Sequence, residues 1–266
     1  MEKYTTIFKK KYGQNFLKDL SIVKKIVDIS GVNKNSLVIE VGPGGAIMTK
    51  ELASRSKQVL AYEIDRDLEA ELYKKLESFN NVDIIFGDFL TSNLLDDIKK
   101  YSYSTLFFVS NVPYYITTPI ILKLVQSKLK FDKIVMMVQK EVGERFTSLP
   151  AHKEYGSITV LLNYFYNIKK EFYVTRDKFI PEPNVDSVII SFSEKENRLK
   201  LKDYSFFEQL LKDSFQFKRK NIRNNLKKYD LKIVEHILNM YGYDLSVRAE
   251  RLSVEIFVSL ANALLK

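Results

Sequence analysis

A chain of 266 residues that is 45% hydrophobic and carries a formal charge of +9 has the length of one large domain or one domain with an appendage, and apolar residues enough for a packed core. No apolar run nears the roughly 18 residues of a membrane-crossing helix, and MEKYTTIFKKKYGQNF holds no hydrophobic signal segment, so no membrane association and a cytoplasmic location are expected. With no cysteine there is no disulfide framework and no thiolate, and His152 and His236 lack metal-ligand spacing, so no metal centre is expected.

In chain order, apolar runs of strand length alternate with amphipathic helices. Helices are predicted at Ser21–Ser30, Thr49–Ser56, Leu68–Ser78 and Pro119–Ser127, and strands at Leu37–Val41, Gln58–Glu63, Val82–Phe86, Leu106–Ser110 and Lys133–Gln139. Continuous apolar strands suit a parallel sheet buried on both faces, and the alternation predicts a doubly wound α/β sheet. Strands near Lys170–Val174 and Ser187–Phe192 read as an antiparallel addition. Beyond the charged linker SEKENRLKLKD only helices are predicted: Ser205–Phe217, Lys220–Lys228, Leu231–Met240 and Val254–Leu265. This places a domain boundary near residue 195, with a catalytic domain over 1–195 and a small helical domain over 196–266. The helical part concentrates charge, with 14 Lys and Arg against 8 Asp and Glu from Arg198 onward. Such an excess suits a polyanion, although a solvated lysine-rich surface would look the same.

The first strand runs into Gly42-Pro43-Gly44-Gly45-Ala46. A glycine turn between strand and helix lets backbone approach a ligand, but alone it reads equally as a tight turn. The second strand ends in Glu63, placed to accept ribose hydroxyls, and the third in Gly87-Asp88. Each acid alone reads as a helix cap or loop acid. Together with Gly42 they converge on the crevice outside the carboxyl ends of the strands. A nucleoside held there fits NAD or S-adenosylmethionine.

The fourth strand decides between them. Asn111-Val112-Pro113-Tyr114 follows it, the Asn-x-Pro-Tyr signature of amino-group methyltransferases acting on nucleic acids. An exocyclic adenine amine is a poor nucleophile because its lone pair is delocalised into the ring. Two acceptors on its hydrogens, the Asn111 side-chain oxygen and the Val112 carbonyl, would free that pair. Pro113 fixes the chain direction and Tyr114 offers a stacking face. This chemistry needs positioning more than a strong base.

The chain resembles the ribosomal RNA adenine N6,N6-dimethyltransferase family, in its KsgA (RsmA) branch, from about Lys10 to the C-terminus. The segments that carry it are KKYGQNFLKD, IEVGPGGAIMT, EID, GDFL, NVPYYITTPII, MVQKEVGERF, KFIPEPNVDSVII, FKRKNIRNNL and VRAERLSVE. The resemblance implies a Rossmann-like seven-stranded sheet and S-adenosylmethionine as cofactor. It implies dimethylation of two adjacent adenosines near the 3′ end of small-subunit rRNA in an assembling subunit. It also implies a cofactor site of Asn15, Leu17, Gly42, Glu63, Asp88 and Asn111, with Phe179 facing Tyr114 across the target base. From the residues alone, Phe179 would read as a core aromatic and Asn15 as part of a helix cap. Val112 and Tyr115 stand where the family commonly has Leu and Asn, and the bulk of Tyr115 bears on how a base is seated.

In the predicted helix Lys220–Lys228 and the residues before it, Lys218, Arg219, Lys220, Arg223 and Lys227 are the expected RNA-binding cations, four of them on one broad face, with Lys9–Lys11 as a second contact. A monomer is expected. The alternatives are the sister group that methylates large-subunit rRNA and confers antibiotic resistance, a DNA adenine methyltransferase, and a non-catalytic assembly factor. FKRKNIRNNL and VRAERLSVE favour the small-subunit branch.

Overall fold

The computed structural model describes residues 15–265. They form two compact units, one taking the chain up to Gly143 with Lys169–Glu194, the other Glu144–Ile168 with Lys195 onward.

The elements in order are β1 (Phe16–Leu17), α1 (Leu20–Ser30), β2 (Ser36–Val41), α2 (Ile47–Arg55), β3 (Gln58–Glu63), α3 (Glu69–Leu76), β4 (Val82–Phe86), α4 (Leu94–Ile98), β5 (Thr105–Asn111), α5 (Thr117–Gln126), β6 (Lys133–Gln139), α6 (Lys140–Phe146), α7 (Ser157–Phe165), β7 (Tyr166–Val174), β8 (Phe179–Ile180) and β9 (Ser187–Glu194). Seven strands make one sheet in the order β4-β3-β2-β5-β6-β9-β7. The pairs from β4 to β6 are parallel, and β9 runs antiparallel to β6. This is the mostly parallel, seven-stranded sheet that the sequence predicts. Every residue of β2 is buried, as a strand covered on both faces requires. The separate pair of β1 with β8, which joins Leu17 to Phe179, was not foreseen.

The chain builds outward from β2 through β3 to β4, then returns to place β5 on the other side of β2. That reversal opens a crevice at the carboxyl ends of β2 and β5. One side chain shapes it. The buried Ser110 hydroxyl donates to the Val41 carbonyl at 2.6 Å and accepts from the Val41 amide at 3.3 Å. A side chain thus stands where backbone would otherwise pair with backbone, so the strands part there without orphaned polar groups.

The second unit gathers α7 with α8 (Tyr204–Ser214), α9 (Ile222–Asn225), α10 (Leu231–Met240) and α11 (Val254–Leu264). Helices α7, α8 and α11 pack together around Phe207, Leu210, Phe257 and Leu260. The helical body is therefore not the contiguous 196–266 that the sequence suggests. Helix α7, SITVLLNYF, is apolar around most of its circumference and needs helical neighbours to cover it. The expected helix Lys220–Lys228 is also corrected, to the four residues of α9. The Ile222 and Arg223 amides donate to Val247 and Leu245 instead, and the Asn221 side chain caps the short helix at the Asn224 amide. Asn-rich sequence offers the backbone such local alternatives to helix.

Candidate active site

The loop after β2 takes its shape from alternate left-handed residues: Gly42 at φ 74°, Gly44 at φ 47° and Ala46 at φ 62°. Gly44 is further constrained, because an added Cβ would overlap the Phe16 ring. Glu63, buried at the end of β3, accepts from the Gly44 amide at 3.3 Å and from the Asp65 amide at 2.9 Å. Burial holds its carboxyl above the usual range, and its two oxygens keep lone pairs beyond these bonds.

A cleft of about 340 Å³ lies at the strand ends, lined by Phe16, Gly42, Gly44, Glu63, Asp88, Asn111, Val112, Tyr114 and Tyr115 among others. Asp88 is exposed and caps the turn after β4 through the Leu90 amide at 2.8 Å. Asn111 at the end of β5 donates its amide nitrogen to the Asn15 carbonyl at 3.2 Å, so its oxygen is the atom left for the cleft. Among the described residues no donor reaches the Val112 carbonyl, while the Val112 side chain is buried. The two acceptors that an amine would need thus stand on adjacent residues at the mouth of β5. The Tyr114 hydroxyl is held by the buried Ser187 of β9 at 2.6 Å, which fixes the ring at its far end. Burial raises the Tyr114 pKa, so its hydroxyl stays protonated.

Gly42, Glu63, Asp88, Asn15 and Asn111 are brought together as expected, and the Asn111–Pro113–Tyr114 turn faces them. Leu17 and Phe179 are not on that cleft. Phe179 is 2% exposed and sits in the core with Leu17, Met137 and Ile189. Alternation along the two-residue β1 is the reason: Leu17 turns to the core beside Phe179, and Phe16 turns to the cleft. Leu17 reaches only a smaller cavity of about 40 Å³ behind the glycine loop. Phe16 is the aromatic wall that sequence reasoning missed, although it lies inside the GQNFL segment. Tyr115 is 56% exposed at the cleft rim and does not fill the interior.

The small cavity also touches Glu40, the second residue the sequence reading passed over. One Glu40 carboxylate oxygen is buried without a hydrogen-bond partner. Burial, with the nearby Glu63 charge acting the same way, pushes the Glu40 pKa up to about 8. An orphaned acceptor, a left-handed glycine loop and a second buried carboxylate together suit a ligand with donor groups at one end and along its middle. S-adenosylmethionine, with an ammonium at one end and ribose hydroxyls in the middle, fits this donor and acceptor set.

In the second unit Lys218, Arg219, Lys220, Arg223 and Lys227 are all exposed. The i, i+1, i+4, i+8 face does not exist, because Lys218, Arg219 and Lys220 lie in a turn ahead of α9 and Lys227 lies beyond it. Lys9–Lys11 fall outside the described residues.

A family model for ribosomal RNA adenine dimethylase matches residues 6–266. The chain is 39% identical to the ribosomal RNA small subunit methyltransferase A of Streptococcus equi subsp. zooepidemicus over 99% of its length and 94% of that protein's. It is 38% identical to the protein of the same name from Listeria welshimeri, over 99% and 93%. Among solved structures it is similar to a dimethyladenosine transferase from Plasmodium falciparum, with a TM-score of 0.77, 25% identity and coverage of 92% and 95%. It is also similar to the 23S rRNA methyltransferase ErmE, with a TM-score of 0.71, 26% identity and coverage of 95% and 100%. With a strand-end cleft of this build and a match over nearly its whole length, the chain belongs to the ribosomal RNA adenine dimethylase family.

Proposed function

We propose that this enzyme dimethylates N6 of two adjacent adenosines near the 3′ end of small-subunit rRNA, working as a cytoplasmic monomer on an assembling subunit. The observation that carries the mechanism is the tethered Asn111 amide, which leaves its oxygen beside the Val112 carbonyl. S-adenosylmethionine supplies an electron-poor methyl group at this site. Glu63 would accept hydrogen bonds from its ribose hydroxyls, Asp88 and Asn15 would hold its nucleoside end, and Glu40 and the Gly42–Ala46 loop would receive its amino-acid end.

An unpaired adenine enters with its ring against Tyr114, held rigid by Ser187. Phe16, rather than Phe179, supplies the apolar surface on the cleft side. Asn111 Oδ1 and the Val112 carbonyl accept the two N6 hydrogens and pull the amine toward a pyramidal shape that frees its lone pair. N6 would take the methyl group as its bond to the cofactor's sulfonium breaks, the sulfur leaving as a neutral thioether and N6 shedding a proton to solvent, so no strong base is called for. After the first transfer one hydrogen remains, and one of the two acceptors suffices to orient it for the second.

The exposed cations of the second unit hold the RNA backbone. About four phosphate contacts would give a log-log salt slope near −3 to −4. The names of the curated relatives and the FKRKNIRNNL and VRAERLSVE segments support the small-subunit target over the large-subunit one.

The test is methyl transfer to undermodified small subunits, followed by mass spectrometry of the rRNA 3′ region. Two dimethylated neighbouring adenosines are expected, and Asn111→Ala should lower turnover by roughly 10²–10³-fold with RNA affinity little changed. Methylation confined to large-subunit rRNA would refute the target.

A further inference from the structure

The turn Phe217–Lys220 in the second unit combines three features that the methylation chemistry does not use. Its first residue, Phe217, is 54% exposed, and no ring of the described residues stacks on it. Three exposed cations, Lys218, Arg219 and Lys220, follow directly, and no carboxylate of the described residues pairs with them. The backbone of the turn is held by one side chain, that of Asn225, which is only 7% exposed. Asn225 accepts from the Phe217 amide at 3.2 Å. It donates to the carbonyls of Ser214 at 2.8 Å, Phe217 at 3.3 Å and Lys220 at 3.5 Å.

A solvated phenylalanine would ordinarily need no explanation. This one sits on a backbone clamped at both its N–H and its C=O, so the ring is presented with little main-chain freedom to lose on binding. Aromatic faces beside backbone-tracking cations are how proteins hold unpaired nucleotides. We infer that Phe217 is a stacking platform for one unpaired base of the RNA substrate, with Lys218, Arg219 and Lys220 on the flanking phosphates and Asn225 as the positioning residue. The site lies in the helical unit and is additional to the target-adenine cleft. It rests on the reading that the substrate is ribosomal RNA.

Stacking and charge separate by salt. Loss of a phosphate contact flattens the salt slope, whereas loss of a stacked base weakens binding equally at every salt concentration. Phe217→Ala is therefore expected to weaken binding of unmethylated small-subunit rRNA by roughly 5- to 100-fold with an unchanged slope. Phe217→Leu, which keeps apolar bulk without a π-face, should lose most of this too. Asn225→Ala should weaken binding in the same direction while the Phe217 variants melt as the parent does. The chain contains no tryptophan, so Phe217→Trp makes a single reporter whose fluorescence should be quenched by the RNA with affinity retained.

Unaltered affinity in Phe217→Ala together with an unquenched Phe217→Trp would overturn the inference. So would an altered salt slope in Phe217→Ala, or an effect present on whole subunits but missing on protein-free rRNA, which would put a protein under the ring. Methyl transfer by the parent chain on the same preparation is the separate check on the proposed function. If it succeeds while Phe217 proves indifferent, only the stacking site fails.

Discussion

The glycine loop after β2 and the basic turn before α9 are both tight turns ahead of a helix, yet their shapes have different origins. The loop is specified by its own residues: left-handed positions at 42, 44 and 46, with Glu63 bracing the Gly44 amide. The turn carries no residue of special backbone conformation and is held from eight positions downstream by Asn225. A backbone-specified loop tolerates no side chain where it must be close to its neighbours. A side-chain-specified turn is free to vary its own sequence as long as the clamp remains.

The sharpest way to break this contrast is Gly44→Ala. The added Cβ meets Phe16 and the left-handed conformation disfavours any side chain. The expected loss is more than about 2 kcal/mol of stability, with cofactor affinity falling alongside it, read by thermal unfolding and calorimetry. Adding Phe16→Ala should recover the steric part and leave the backbone part. No recovery would mean that Phe16 is not what closes the loop.

Asn225→Ala is next, at about 1–3 kcal/mol, because it strands a turn amide and several carbonyls at once. Its mark should be weakened RNA binding with methyl transfer at saturating RNA retained. A variant that loses turnover instead would show that the turn and the cleft are not separable as described.

Glu40→Gln probes the ground beneath the glycine loop. The folded-state pKa near 8 exceeds the ordinary value of 4.5. Stability from the protonated form is therefore complete below about pH 4.5 and is lost as pH rises toward 8. Glutamine cannot ionise, so the variant should gain on the parent by about 4 kcal/mol on going from pH 4.5 to pH 8. Parallel melting curves across that range would contradict the assignment.

The smallest effect is expected at Ala46, a non-glycine in the left-handed region at φ 62°. Ala46→Gly relieves that strain and should change stability by less than about 1 kcal/mol, upward. Lys218→Gly in the other turn, which has no such strain to relieve, should give no gain.

The same contrast explains what the sequence made legible. Glycines, strand-end acids and Asn111-Val112-Pro113-Tyr114 advertise themselves, because each residue type there is demanded by local backbone or by the chemistry. The buried strand runs likewise gave the sheet. What stayed hidden depends on partners far along the chain. Ser110 acts through Val41, which lies 69 residues earlier. Phe16 faces the cleft only because Leu17 pairs with Phe179. The helix expected over Lys220–Lys228 is shortened by carbonyls at 245 and 247. Helix α7 joins the helical unit across the three intervening strands β7, β8 and β9, a placement that no local pattern carries.

The most direct measurement of the central claim is a structure of the chain with S-adenosylhomocysteine and a short RNA carrying the two adenosines. One adenine is expected beside Tyr114, its N6 about 2.7–3.2 Å from both Asn111 Oδ1 and the Val112 carbonyl. An adenine bound with its N6 turned away from both atoms, toward Asp88 or out to solvent, would contradict it.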